Sequence, residues 1–344
     1  MKEKVIVGMS GGVDSSVAAL LLKEQGYDVI GVTMQLCGNE SAAEDAEKVA
    51  AALDIPHYIV DFQKEFRCKV MDYFVEEYLA GRTPNPCIVC NRYIKWEALL
   101  HHGRGLGAEY IATGHYARIA KLSNGRFALC NSVTAKKDQT YALYGLTQEQ
   151  LSHTLMPVGE YAKEEIREMA VKNDLPTAHK PDSQDICFIP DGDYASFIER
   201  QAPDKVPGFG NFVTEDGTVL GTHKGITHYT IGQRKGLGLA MGHPVFVSAI
   251  RPETNEVVIS EEDVFKEELT CSHLNYMSIE KLQEPKRVFA KIRYAHSGEW
   301  CTIEQTGEDT IFCRFEKPVR AVTPGQAAVF YDGEYLLGGG IINS

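Results

Sequence analysis

Between residues 4 and 106 the chain alternates two hydrophobic rhythms. Apolar runs at 4–9, 27–34 and 57–62 are short and rich in β-branched residues, the pattern of strands buried on both faces. Between and after them, segments at 16–25, 42–53, 65–79 and 91–106 repeat apolar residues every three or four positions, as helices with one buried face do. A run at 110–113 and helical patterns near 147–153 and 162–173 extend the same rhythm. This alternation predicts an α/β unit with a parallel sheet. After about Ala202 the texture changes: Pro203, Pro207, Gly208 and Gly210 precede short alternating runs, with turn signals at Glu215-Asp216-Gly217, Glu253-Thr254-Asn255 and Tyr331-Asp332-Gly333. These predict small β-rich domains. The expected division is an N-terminal α/β domain over 1–202, a central β-rich domain over 203–263 and a C-terminal β-barrel domain over 264–344.

A chain of 344 residues, 44% of them hydrophobic, can bury more than one core. No apolar stretch approaches the roughly 18 residues that read as a membrane span. Met1-Lys2-Glu3-Lys4 leads straight into the first strand, so a cytoplasmic protein without a membrane partner is expected. Nine scattered cysteines do not resemble a secreted disulfide framework, so in a reducing compartment each is buried, metal-bound or catalytic. Cys68 and Cys130 suit the buried reading.

A net charge of −12 argues against coating by nucleic acid, yet the charge is unevenly spread. Residues 217–252 contain no acid but include Lys224, Arg234, Lys235 and Arg251; residues 285–298 contain none but include Lys286, Arg287, Lys291 and Arg293. Such gaps suit a polyanionic partner, with a solvated basic face as the lesser alternative.

Ser10-Gly11-Gly12-Val13-Asp14-Ser15-Ser16 joins the first strand to the first helix. A glycine turn there exposes backbone N–H groups at the positive end of the helix dipole, which makes an anion site. Ser10, Ser15 and Ser16 offer hydroxyl donors, while Asp14 would repel a bare phosphate unless a cation such as Mg²⁺ stood between them. The lysine of a Walker loop is absent. A plain βα turn with a Ser or Asp cap would use the same residues.

Ser10-Gly11-Gly12-Val13-Asp14-Ser15 resembles the pyrophosphatase loop (PP-loop) of enzymes that cleave ATP between the α and β phosphates and adenylate a carbonyl oxygen. These have an adenine nucleotide alpha hydrolase-like parallel-sheet fold. Further motifs follow in order over nearly the whole chain: Gly81-Arg82-Thr83-Pro84-Asn85-Pro86-Cys87-Ile88-Val89-Cys90-Asn91, Ala112-Thr113-Gly114-His115-Tyr116, Lys137-Asp138-Gln139, Asp182-Ser183-Gln184-Asp185-Ile186-Cys187-Phe188, Gly232-Gln233-Arg234-Lys235-Gly236-Leu237-Gly238 and Thr323-Pro324-Gly325-Gln326. Together they closely resemble the bacterial tRNA-specific 2-thiouridylases.

The resemblance implies a sulfurtransferase that adenylates the C2 oxygen of the wobble uridine in a tRNA anticodon stem-loop and replaces it with sulfur from a cysteine persulfide. It implies that Gly8, Met9, Ser10, Gly11, Gly12, Val13, Asp14, Ser15 and Ser16 hold the ATP phosphates, with Asp14 on Mg²⁺, and that Met34 and Gly114 line the adenine side. Cys187 would carry the persulfide and Cys90 would pair with it. Asn85, Pro86 and Cys87 would meet the target base. His115, Lys137, Asp138, Gln139, Arg293, Tyr294 and Gln326 would contact tRNA, and Tyr116 or Tyr294 would help hold the displaced nucleotide. A persulfide-carrying protein, such as a cysteine desulfurase or a relay protein, would supply the sulfur.

The residues add their own expectations. Cys90 precedes the helical pattern that begins at Asn91, where a helix dipole would favour thiolate. Cys87, at a position where many members carry aspartate, makes a C-x-x-C pair with Cys90. That leaves open a redox dithiol, or an iron–sulfur cluster on Cys87, Cys90 and Cys187. The loop after Met34 is shorter than in many members, and its Cys37 has no family role. Other PP-loop chemistry on a small molecule, or a non-catalytic RNA-binding or iron–sulfur regulatory protein, are the competing readings.

Overall fold

The computed structural model describes residues 2–37, 40–181 and 186–343. The N-terminal part runs β1 (Lys4–Gly8), α1 (Val13–Glu24), β2 (Asp28–Gln35), α2 (Glu40–Ala52), β3 (His57–Asp61), α3 (Gln63–Phe66), α4 (Asp72–Leu79), α5 (Pro86–Cys90), α6 (Leu99–Gly105) and β4 (Tyr110–Ala112). It continues through β5 (Arg118–Lys121), β6 (Phe127–Cys130), α7 (Thr140–Leu143), α8 (Gln148–Ser152), β7 (Thr154–Leu155), α9 (Lys163–Lys172) and α10 (Tyr194–Gln201). The β-rich part comprises β8 (Gly210–Val213), β9 (Val219–His223), β10 (Phe246–Arg251), β11 (Glu256–Ser260), β12 (Phe265–Tyr276), β13 (Lys286–Lys291), β14 (Glu299–Gly307), β15 (Thr310–Arg320), β16 (Ala327–Asp332) and β17 (Tyr335–Ile342).

The expected parallel sheet is present, in the order β3-β2-β1-β4-β7. Val5, Ile6 and Val7 of β1 are fully buried, because the strand is covered on both faces. On one face α1, α2 and α9 bring Val17, Leu22, Val49 and Ile166 to the core. On the other, Trp96, Leu99 and Ile111 pack together. β1 hands the chain to β2 on one side and pairs with β4 on the other. The carboxyl ends of β1 and β4 therefore form a topological switch point, where α/β sheets bind ligands.

A four-stranded sheet, β10-β11-β8-β9, surrounds Phe212, Tyr229, Val247 and Val257. Strands β12-β15-β14-β13-β16-β17 close into an antiparallel barrel through a β12–β17 pairing. The β5–β6 hairpin, which the hydrophobic rhythm did not reveal, leaves the α/β unit and pairs with β17 through Tyr335 and Cys130.

Two helices differ from expectation. The helix expected from 91 begins at Pro86: Asn85 caps it by accepting from the Cys87 N–H at 3.1 Å, and Pro86 occupies the first turn. A wide π-type stretch, Asn91–Ala98, continues it into α6. A similar stretch, Arg67–Met71, joins α3 to α4. Cys68 is exposed on that helix and not buried as expected.

Candidate active site

The loop between β1 and α1 is shaped by its own side chains. Gly11 has φ +67°, and a Cβ there would overlap the Ala42 carbonyl, so only glycine fits. The Ser16 hydroxyl is fully buried; it donates to the Gly12 carbonyl at 2.8 Å and accepts from Thr177 at 3.0 Å. The Ser15 hydroxyl donates to the same carbonyl at 3.1 Å and accepts from the Ser10 N–H at 3.2 Å. Expected phosphate donors, these two hydroxyls instead brace the turn, while Ser10 is exposed. Met9 and Val13 turn their side chains into the core, leaving only backbone for a ligand. Gly12 caps α1 without a side-chain partner, so the leading N–H groups of the helix remain available to an anion.

Within the protein a cation already stands at Asp14. Lys163, at the start of α9, places its ammonium 2.6 and 2.8 Å from the two Asp14 oxygens. The Tyr116 hydroxyl donates to Asp14 at 2.7 Å. Lys180 donates to the Gly11 carbonyl at 3.0 Å. Neither lysine was legible as a site residue, because each reaches the loop from a distant part of the chain. Tyr116 is buried against Asp14 and cannot stack on an extruded base, contrary to expectation. Asp14 is thus already paired, and among the described residues no group of three or more His, Cys, Asp or Glu is gathered to hold a metal ion.

Gly114 packs directly on the loop. A Cβ there would lie 2.6 Å from the Asp14–Ser15 peptide, so the absence of a side chain lets the chain after β4 close on the switch point. Met34, at the end of β2, lies beside Gly8, with its methyl 3.6 Å from where a Gly8 Cβ would stand. The expected ATP residues are therefore gathered at the carboxyl ends of β2, β1 and β4.

The next residue turns toward the helix that bears Cys90. His115 accepts or donates at Nδ1 to the Thr113 hydroxyl at 2.7 Å, and its ring lies 5.4 Å from that of Trp96. Burial, and then the charge of Lys95, hold its imidazole neutral, well below the usual histidine range. Lys95 also pulls the Cys87, Cys90 and Cys187 thiols downward, so it is the shared cation of this region.

Cys90 corrects the expectation of a dipole-activated thiolate. It ends α5 inside a continuous helix and packs in an apolar cluster with Phe62, Phe66, Val70 and Ile94. Burial pushes its thiol up to about 12. Cys87 is open to solvent yet closely surrounded by protein, which raises it too. Cys187 is solvent-open; Cys37 lies beside it, its Sγ 3.9 Å from the Cys187 carbonyl oxygen, and the neighbouring sulfur raises the Cys187 thiol and lowers that of Cys37. Among the described residues Cys87, Cys90 and Cys187 are not gathered as a metal-ligand group, which leaves the iron–sulfur alternative without support. Of the motif before Cys187, residues 182–185 lie outside the described residues, as do Gly38 and Asn39 beyond Cys37.

The expected tRNA contacts divide. Asp138 accepts from the Ser132 N–H at 2.8 Å and the Thr140 N–H at 3.2 Å, and Gln139 accepts from the Tyr116 N–H at 2.9 Å. Their side chains organise the turn. Arg293 donates to the Arg320 carbonyl at 2.7 Å and is half-buried. Gln326 donates to the Thr83 carbonyl at 2.8 Å, and the Thr83 N–H donates to Pro324 at 2.9 Å. The barrel thereby grips the segment leading to Asn85 and the buried Pro86. Tyr294 is 48% exposed. Burial raises its hydroxyl, which also senses the charges of Asp138, Lys137 and Cys87, so these residues share one neighbourhood. Lys224, Arg234 and Lys235 are exposed without a carboxylate partner among the described residues, whereas Arg251, Lys286 and Arg287 are paired with Glu215, Asp332 and Glu316.

A parallel sheet with a braced Ser-Gly-Gly-Val-Asp-Ser loop at its switch point, followed by β-rich domains, defines a PP-loop ATP-domain protein. A family model described as the tRNA methyl transferase HUP domain matches residues 3–191, and one described as the tRNA methyl transferase PRC-barrel domain matches 195–261. One described as the aminomethyltransferase beta-barrel domain matches 266–342. Curated relatives include the tRNA-specific 2-thiouridylases MnmA of Lachnoclostridium phytofermentans, 60% identical over 99% of each chain, and of Clostridium perfringens, 54% identical over 100% of this chain and 99% of that one. The corresponding protein of Clostridium acetobutylicum is 54% identical over 99% of this chain and 100% of its own. The chain belongs to the tRNA-specific 2-thiouridylase family.

Proposed function

We propose that this chain is an ATP-dependent tRNA-uridine 2-sulfurtransferase acting on the wobble position. The observation that carries this reading is the segment from Thr113 to Tyr116. Through Gly114 and Tyr116 it contacts the ATP-type loop at Asp14, and through His115 it contacts Trp96 on the helix that bears Cys90 and Lys95. One short stretch therefore ties a phosphate-binding loop to a cysteine-bearing helix, as adenylation followed by sulfur transfer needs.

In this reading the uridine C2 oxygen attacks the ATP α-phosphorus and pyrophosphate leaves. Backbone N–H groups of the Gly11–Asp14 turn hold the phosphates, with Lys163 and Lys180 as the neighbouring cations. Mg²⁺ bound with ATP would neutralise phosphate charge, and Asp14 is the carboxylate of the loop that would hold it, sharing its oxygens with Lys163. Sulfur is carried on Cys187, with Cys90 as the second thiol that the family resemblance places there. Asn85, Pro86, Cys87, His115, Lys137, Asp138, Gln139, Arg293, Tyr294 and Gln326 remain the proposed RNA-facing set, several of them acting by holding the surface in shape. A persulfide-carrying protein is the proposed sulfur source, and breaks near 202 and 263 are the proposed domain limits. Among the described residues no helix is long and apolar enough to cross a membrane.

The test is pyrophosphate release from ATP with and without bulk tRNA, followed by mass spectrometry of the tRNA nucleosides. tRNA-dependent pyrophosphate release with appearance of 2-thiouridine is expected. Release that ignores tRNA would favour a small-molecule substrate and refute the proposal.

A further inference from the structure

Asn91 follows Cys90 directly, at the start of the wide π-type stretch, and nothing above gives it a role. Its side chain belongs to a residue only 2% exposed. Nδ2 donates to the Ala142 carbonyl of α7 at 2.9 Å, whereas Oδ1 is enclosed and meets no donor among the described residues. An enclosed amide with half of its hydrogen bonding unmet is unfavourable where an apolar side chain would fit, so its donor half needs a reason. The helix it reaches supplies one. Four consecutive residues, from the cap of α7 onward, each bond a different part of the molecule. Gln139 donates its N–H to the Tyr116 carbonyl and accepts from the Tyr116 N–H, both at 2.9 Å, and Tyr116 in turn holds Asp14 of the ATP-type loop. The Thr140 hydroxyl stands 3.1 Å from that of Tyr331, and the Tyr141 hydroxyl donates to the Ala327 carbonyl at 2.9 Å, both on β16 of the barrel. Ala142, the fourth, takes Asn91.

We propose that Asn91 is the positioning residue that fixes Cys90 relative to the ATP-type loop and the barrel, acting through α7. This rests on the sulfurtransferase reading, in which Cys90 is the second thiol. The packing of Cys90 itself is apolar, against Phe62, Phe66, Val70 and Ile94, and apolar contact has no preferred direction. A hydrogen bond from the adjoining residue does have one, so it sets how far the turn bearing Cys90 is rotated and how deep it sits. Two further ties serve other neighbours: Gln150 of α8 donates to the Arg92 carbonyl at 3.1 Å, and Trp96 donates to the Thr154 hydroxyl of β7 at 2.8 Å. Asn91 is the tie that leads to α7, and through it to Asp14 on one side and β16 on the other. A thiol displaced by an ångström loses much of its rate in sulfur transfer, while adenylation, which uses the loop, is left intact.

Two variants of the full-length protein test this. Asn91→Leu removes the donor and the unmet acceptor together, whereas Asn91→Asp keeps the shape and the acceptor and removes only the donor. Single-turnover thiolation is followed with ATP, tRNA and glutathione persulfide, beside pyrophosphate release. Both variants are expected to slow 2-thiouridine formation by about ten- to a hundredfold while tRNA-dependent pyrophosphate release stays close to wild type, which also shows that they are folded. Unchanged thiolation in either variant, or pyrophosphate release lost together with thiolation in both, would overturn the assignment. Hydrogen exchange is then compared between residues 86–92 and α1. Exchange over 86–92 is expected to rise by about tenfold in Asn91→Leu with α1 unchanged; equal protection in variant and wild type would overturn the proposal. If the wild type makes no 2-thiouridine, the sulfurtransferase reading fails, and the exchange comparison still decides whether Asn91 holds the helix.

Discussion

Replacing Asp14 and Lys163 singly and together tests how the loop is held. The Lys163 side chain is 7% exposed and that of Asp14 31%, so the two halves of this pair are not equivalent. Asp14→Ala takes the carboxylate from an ammonium in a nearly closed site, and breaking a buried pair from one side costs up to about 3–5 kcal/mol. Lys163→Met instead leaves a carboxylate with one-third of its surface in water and the Tyr116 hydroxyl still donating. Its cost is expected at about 1–2 kcal/mol, the range of a lost hydrogen bond to a charged group. The double variant removes both charges and should cost clearly less than the sum. A chain with several cores does not unfold in two states, so the readout is native-state hydrogen exchange of α1 and α9. Asp14→Ala should speed exchange there by roughly two to three orders of magnitude, and Lys163→Met by about one. Both should lose pyrophosphate release. Equal exchange in the two single variants, or strict additivity in the double, would refute the reasoning that one buried cation holds the loop.

Further outcomes follow from the same contacts. With Cys90 pushed up to about 12, its alkylation rate should climb steadily from pH 7 to pH 10, while Cys37, held below the ordinary thiol value, reacts first and levels off earlier; mass spectrometry after brief iodoacetamide pulses would contradict this by finding Cys90 labelled first at pH 7. Loss of Lys224, Arg234 or Lys235 should each lower the slope of log tRNA affinity against log salt by about 0.7–0.9, whereas Arg287→Ala, which removes a cation already paired with Glu316, should leave the slope unchanged; filter binding across a salt series decides. Gln326→Ala removes the hydrogen bond to the Thr83 carbonyl at a cost of about 1 kcal/mol, and should raise hydrogen exchange around residues 82–90 while the β13–β14 amides keep their protection.

Periodicity reveals what neighbouring residues decide together. β1, β2, β3 and β4 fall within a residue or two of their apolar runs; for β1, β2 and β4 this is because a strand covered on both faces must be apolar along its length, whereas β3, at the edge of the sheet, leaves Tyr58 and Ile59 exposed. The start of α5 was also written locally, in Asn85 followed by Pro86, but the apolar pattern beyond Asn91 drew attention past it. The β5–β6 hairpin carries a turn at Ser123-Asn124-Gly125, yet its partner β17 lies at the other end of the chain, so no local signal announces the pairing. The loop shows the same divide. Its glycines could be read, but the lysines that compensate Asp14 and the Gly11 carbonyl could not, since a buried cation looks like any other lysine in a string of letters. Ser15 and Ser16 misled for a related reason: a hydroxyl that braces a turn and one that binds phosphate are the same residue type, told apart only by the Gly12 carbonyl within reach.

The two halves of the site are built to different tolerances, and the chemistry explains why. Around the ATP-type loop, contacts are made at the level of backbone: Gly114 lies on the Asp14–Ser15 peptide, and Lys180 and two serines hold the carbonyls of Gly11 and Gly12. An in-line attack at phosphorus gains from such fixed donors, because misplacement by an ångström forfeits much of the rate. The sulfur side differs. Cys187, the proposed sulfur carrier, sits on a connecting segment open to solvent, where a persulfide loaded from outside can be reached; a thiol enclosed in a helix is less accessible. Cys90 occupies that enclosed position. The barrel side holds Thr83 through Gln326 and Pro324, so the helix beginning at Pro86 is anchored at its start by one domain and along its length by another. A base presented between them would meet a rigid phosphate cradle on one side and adaptable sulfur on the other, the order in which adenylation and sulfur transfer need them.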